Sequence, residues 1–84
     1  MTLLFQPPEP IDVEAGDDGR PQTMRWHGTA YRVQAIHNHW VTHDGWWGRE
    51  LHYDAYKIQT HTGLLCIILY DRLGETWGLE RVFD

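Results

Sequence analysis

Six histidines are the residues best equipped for chemistry in this 84-residue chain, and two of them share a spacing that suits a metal. On an extended strand His37 and His39 point to one face about 6.6 Å apart, close enough for two imidazoles to converge on one ion. His43 has the same parity but would lie about 20 Å from His37 at that rise. His52, arriving from the next strand, is the better third ligand, with Asp44 or Asp54 in support. Against a metal centre stand the missing cysteine pair and the missing His-Glu-x-x-His spacing, so no metal and no cofactor is expected. Nucleophilic catalysis is poorly supplied as well. There is no serine, Lys57 is the single lysine, and Cys66 lies in the apolar run Leu64 to Tyr70. An activated nucleophile needs an exposed position and an adjacent base. The adjacent carboxylates Asp17-Asp18 belong to a turn, and no glycine-rich phosphate loop precedes a helix. The sequence reads as that of a protein that is not an enzyme.

Binding chemistry is better represented. Trp46-Trp47, bracketed by Gly45 and Gly48, is hard to bury whole, because neighbouring side chains on an extended chain leave by opposite faces. One ring is expected to plug an end of the fold and the other to reach the surface, where tryptophan is a favoured anchor for partners. Arg49 lies beside the pair. Arg72 and Arg81 could clamp a carboxylate or phosphate while Trp77 offers a stacking face. The plainer reading of that segment has Asp71 opening a hairpin turn and the two arginines pairing with Glu75 and Glu80. Trp46, Trp47, Arg49, Arg72 and Arg81 together form the candidate partner-binding set.

Charge narrows the partners. The net charge is -5, and residues 1 to 20 carry five acids against Arg20, leaving the other 64 residues nearly neutral. A protein partner fits this balance best. Single-stranded nucleic acid on surface aromatics and arginines is the alternative, and a homodimer through an exposed aromatic patch is a third. One cysteine, no run of about 20 apolar residues and no leader pattern point to the cytoplasm rather than a membrane.

The elements that must carry these side chains are short strands. Pro7, Pro8 and Pro10 make residues 1–10 an extended lead-in, and residues 11–84 form a single small β domain. Ile11 to Ala15 and Thr23 to His27 flank the turn Asp17-Asp18-Gly19, and Gly28 reverses the chain again. Between Ala30 and Val41 the apolar parity switches at Ala35-Ile36. A β-bulge there accounts for the switch better than a helix through Val33, Ile36 and Trp40, because the segment lacks a cap and strong helix formers. Tyr53 to His61, Leu64 to Tyr70 and Thr76 to Phe83 follow, joined by Thr62-Gly63 and by Asp71 to Gly74, with positive φ expected at Gly74. The unalternating run Leu64 to Tyr70 predicts a strand covered on both faces. The fold class is all-β, an antiparallel meander of about six strands curled into a small barrel or strongly bent sheet. Trp26, Trp40, Tyr56, Tyr70 and Trp77 are its expected aromatic core.

A spaced pattern runs through this frame: Arg25-Trp26-His27-Gly28, Tyr31-Arg32-Val33, Ile36, Trp40, Trp46-Trp47, Tyr53, Tyr56, Ile58, Tyr70-Asp71-Arg72, Gly74, Trp77 and Leu79-Glu80-Arg81-Val82-Phe83-Asp84. It resembles an uncharacterised bacterial family, a domain of unknown function. The stretch from the tryptophan pair to the terminal acid is also similar to the C-terminal segment of inactive Y-family polymerase homologues of mutagenesis operons. That resemblance implies an adaptor role connected with DNA repair by translesion synthesis.

Overall fold

Alternating and continuous apolar runs separated by turn residues leave the backbone little besides strands, and the computed structural model contains six. It describes residues 2–46 and 49–83, with side chains for 2–42 and 52–83. They are β1 (Leu3–Ala15), β2 (Pro21–Trp26), β3 (Thr29–Trp46), β4 (Arg49–Thr60), β5 (Leu65–Asp71) and β6 (Thr76–Phe83). Each pairs antiparallel with the next, and β1 pairs with β6, so the meander closes into a ring-like sheet as the sequence predicts.

Turn chemistry sets the corners. His27 and Gly28 both take positive φ, at 51° and 76°, which is the mirror-image turn whose twist suits a two-residue connection between Trp26 and Thr29. Positive φ falls on Glu75 (53°) in the β5–β6 turn, not on Gly74. Gly74 is needed there for space, since a Cβ would meet Asp71 Oδ2 at 3.0 Å.

Three strands are longer than the sequence suggests. The proline-rich lead-in is extended as expected, but it is also paired: β1 begins at Leu3 and runs along β6. The ladder shifts between Leu4 and Glu9, which takes Pro7 and Pro8 out of register, so their missing N–H groups cost no ladder bond. Pro8 instead closes over Gly78, where an added Cβ would stand 3.0 Å from its own Cβ. β3 is a strand, with shifts between Val33 and Ala35 and between Ile36 and Asn38, on either side of the expected bulge. It continues past Val41 to Trp46, and β4 already begins at Arg49. Gly45 and Trp46 are therefore strand residues paired with Glu50 and Arg49, rather than part of an open loop.

Side-chain parity then divides the sheet into faces. Met24, Tyr56, Ile58, Cys66, Ile68, Leu79 and Val82 fill the interior, with Trp26, Tyr31, Val33, Ile36 and Trp77 packed against them. On the outer face Ala55, Ile67 and Leu69 form a second buried cluster with Tyr53 and Phe83. β5 contributes to both, which is the two-sided burial its unalternating sequence requires. Two of the expected core rings lie outside these clusters: Tyr70 is half-buried against Trp77, and Trp40 is exposed. Trp40 pairs with Ala55 on the outer face and is 38% exposed.

Candidate interaction surface

β2 has only six residues and pairs with β3 only from Thr29 to Arg32. Beyond Arg32, β3 is paired along one side by β4, and among the described residues no strand lies along its other side. β4 in turn meets β5 only from Tyr53 to Gln59. Among the described residues the backbones of 43–46 and 49–51 find ladder partners only in each other, and the hairpin leaves the ring as a two-stranded arm. The base of this arm carries two exposed apolar residues in succession, Trp40 and Val41, on opposite faces of an edge.

A polar cluster braces that base. Asp54, nearly buried on β4, accepts two hydrogen bonds from Arg72 in the β5–β6 turn, Nε to Oδ2 and Nη2 to Oδ1, each 2.8 Å. This fork geometry is the strong form of an arginine–carboxylate pair. His39 Nε2 adds a third contact to Asp54 Oδ1 at 3.2 Å, and its ring lies flat on Tyr56, centroids 4.3 Å apart. Tyr56 continues to Trp77 (5.8 Å), and Trp77 to Tyr70 (4.9 Å). The Arg72 backbone N–H also donates to the His52 carbonyl (3.3 Å), tying the turn to the strand where the arm departs.

The cluster is electrostatically settled. Hydrogen bonds from Arg72, opposed by burial and helped by His39, hold the Asp54 carboxyl below its ordinary range. Asp54 raises Arg72 in return. Burial, then the charge of Asp54, pushes the Tyr56 phenol up. Cys66, in the core, is pushed up to about 12 by burial alone, which keeps it a thiol at neutral pH.

The sequence-derived candidates scatter over this frame. Arg72 is committed to Asp54, not to Glu75 as its hairpin position suggests, while Asp71 does cap the turn, accepting from the Leu73 N–H at 3.0 Å. Arg81 lies at the far end of the β5–β6 hairpin, opposite Ile67, with its guanidinium 5.9 Å from the Phe83 ring centroid and its Nε buried without a partner among the described residues. Lys57 Nζ approaches the same ring at 5.3 Å. The backbones of Trp46 and Arg49 pair at the arm's tip; their side chains, and Trp47 altogether, lie outside the described residues. His37 and His39 do not converge, because the shift between Ile36 and Asn38 separates them. His37 contacts Gln59 Oε1 at 2.9 Å while His39 contacts Asp54. Among the described residues no three His, Cys, Asp or Glu side chains gather to hold a metal. What sequence reasoning missed is Asp54 as the partner of Arg72. The two are 18 residues apart, and only the β4–β5 register brings them together.

A family described as a domain of unknown function, DUF6504, matches residues 7–84, and the chain belongs to it. No curated protein and no solved structure matches. Among the described residues no helix is long and apolar enough to cross a membrane.

Proposed function

We propose that this chain is a non-catalytic interaction domain that holds a protein partner on the β3–β4 arm. One observation carries the reading: a two-stranded hairpin extends beyond the ring with no third strand beside it among the described residues, and its base exposes Trp40 and Val41. An isolated hairpin is marginal in water, and a partner that covers it supplies the missing burial. The backbones of Trp46 and Arg49 pair at the tip, and Trp46, Trp47 and Arg49 are of the residue types that concentrate binding energy at interfaces. Arg72 serves the arm from behind by bracing its base through Asp54. Arg81 lies too far along β6 to join the tip.

The absence of catalysis is part of the same reading. It is supported by a buried thiol held protonated and by an Asp54 already engaged by the Arg72 fork and by His39. The likeness of the tryptophan pair and the closing segment to the tail of inactive Y-family polymerases favours a partner from translesion synthesis in a bacterial cytoplasm. Affinity capture with the whole chain and with the Trp46→Ala/Trp47→Ala double variant tests the assignment. The partner should be lost with the double variant, and an unchanged capture overturns the site.

A second reading has one observation of its own. Lys57 and Arg81 both approach the Phe83 ring on the outer face, a combination of cations and ring that suits a base and its phosphate. Anisotropy of a labelled single-stranded oligonucleotide at about 50 mM salt, where the electrostatic contribution is strong, decides it. No binding there removes nucleic acid from consideration.

A further inference from the structure

Most strand edges in natural proteins are blunted by lysine, proline, a bulge or a covering element, because unpaired N–H and C=O groups recruit other strands. In this molecule β1 carries three prolines beside its register shift. The open edge of β3 is different. From Gln34 to His43 it contains no Lys, Arg, Asp, Glu or Pro. Its two shifts end at Asn38, and from Asn38 to Trp46 the ladder with β4 is regular, so the outward-facing groups of this stretch are evenly presented. Residues His37 to Val41 are all exposed.

The row of side chains that ends at this edge is apolar across three strands, with a glycine beside it on the fourth. Gly78 on β6 pairs with Leu69 on β5, Leu69 with Ala55 on β4, and Ala55 with Trp40 on β3. Ala55 and Leu69 are buried, and Trp40 is where the row stops at solvent. We propose that a second copy of this chain continues it. The two β3 strands would run antiparallel about a twofold axis through Trp40 and join the two sheets into one. Trp40 then faces Trp40 of the second copy, His39 faces Val41, and Asn38 faces Thr42.

This occupant follows from the composition of the edge. An isologous pairing sets every residue against one from the same strand, so an edge free of Lys, Arg, Asp and Glu places no like charges in opposition. A strongly charged strand would find no counter-charge on it. The acids that make the chain anionic, Glu9 to Asp18, lie on β1 and in the turn after it, not on β3. Opposed tryptophans also form one of the more favourable cross-strand pairs. The inference shares exposed Trp40 with the adaptor reading but does not rest on it, because that reading is tested at Trp46 and Trp47. Trp40→Lys leaves Trp46 and Trp47 in place, so the two can fail separately.

Sedimentation equilibrium of the whole chain over a range of concentrations should show a monomer passing to a dimer. Trp40→Lys should remain monomeric with the far-ultraviolet circular dichroism spectrum of the folded chain. Register is tested by cysteine crosslinking under a mild oxidant. Directly opposed residues in an antiparallel pair bring their Cα atoms to about 4.5–5.5 Å, within disulfide reach. Trp40→Cys should therefore crosslink at least about tenfold faster than Asn38→Cys, whose two copies stand about 13 Å apart in this register at 3.3 Å per residue. Wild-type protein that is monomeric at every concentration, a dimer that survives Trp40→Lys, or Asn38→Cys crosslinking as fast as Trp40→Cys each overturns the proposal.

Discussion

β5 and the outer half of β3 are both extended segments rich in large apolar or aromatic side chains, yet they have opposite fates. β5 has a strand on each side and a buried cluster on each face. From Asn38 onward β3 has one neighbouring strand among the described residues, and Trp40 and Val41 are exposed. Residue type alone does not separate them. The short β2 does, because it stops pairing at Arg32 and leaves the rest of β3 with a free edge. Core and candidate surface differ here in how many neighbours topology supplies.

Substitutions can strain this contrast from either side. The largest effect belongs to the fully covered strand. Ile68→Ala removes a side chain with no exposure and should cost about 2–5 kcal/mol, a large part of the roughly 4–12 kcal/mol expected of a domain this size. Urea denaturation followed by tryptophan fluorescence measures it. A loss no greater than that of an exposed residue would mean that β5 is not the covered strand.

Next comes the brace between the two regions. The folded state holds Asp54 below its ordinary pKa, so its contribution is fully present above the unfolded value, near 3.8, and disappears as pH falls through the lower folded value. Asp54→Asn should therefore destabilise at neutral pH, by less than Ile68→Ala, and the gap to wild type should narrow steadily below pH 3.8. Thermal melts across that range check the sign; a gap that widens on acidification contradicts the pairing with Arg72.

Smaller still is the effect of Trp40→Lys on monomer stability, expected at about 1 kcal/mol or less because the residue, 38% exposed, is only partly covered in the monomer. Its consequence lies in association, not folding. Smallest is Glu75→Asn. Glu75 is an exposed residue at φ 53°, a region that asparagine tolerates better, and the change should raise stability by about 0.5 kcal/mol or less.

Much of the fold was legible because its local signals agree. Turn residues at Asp17 to Gly19, at Gly28 and at Thr62-Gly63 fall where the chain reverses, and the run Leu64 to Tyr70 announces its two-sided burial. The parity switch at Ala35-Ile36 marks the irregular stretch of β3. Trp40 was misread as core because alternation reveals which face a side chain takes but not whether a further strand covers that face. The metal-like pairing of His37 with His39 failed for a related reason, since parity counting does not survive a register shift. The Asp54–Arg72 fork was invisible because it depends on β4–β5 pairing across 18 residues, and no local pattern encodes that. Tyr56, by contrast, is legible as core because it alternates within β4, whose neighbours β3 and β5 are adjacent in sequence.

Hydrogen exchange, resolved by residue and repeated at low and high protein concentration, tests most directly whether the molecule's open face is the β3 edge. Ile67, Ile68 and Leu69 should exchange only through global unfolding at either concentration. Alternate amides between Asn38 and Thr42, those directed away from β4, should exchange fast when dilute and gain protection when concentrated. Slow exchange at those amides in dilute solution, or no change with concentration, would contradict an edge that is free in the monomer and closed by a second copy.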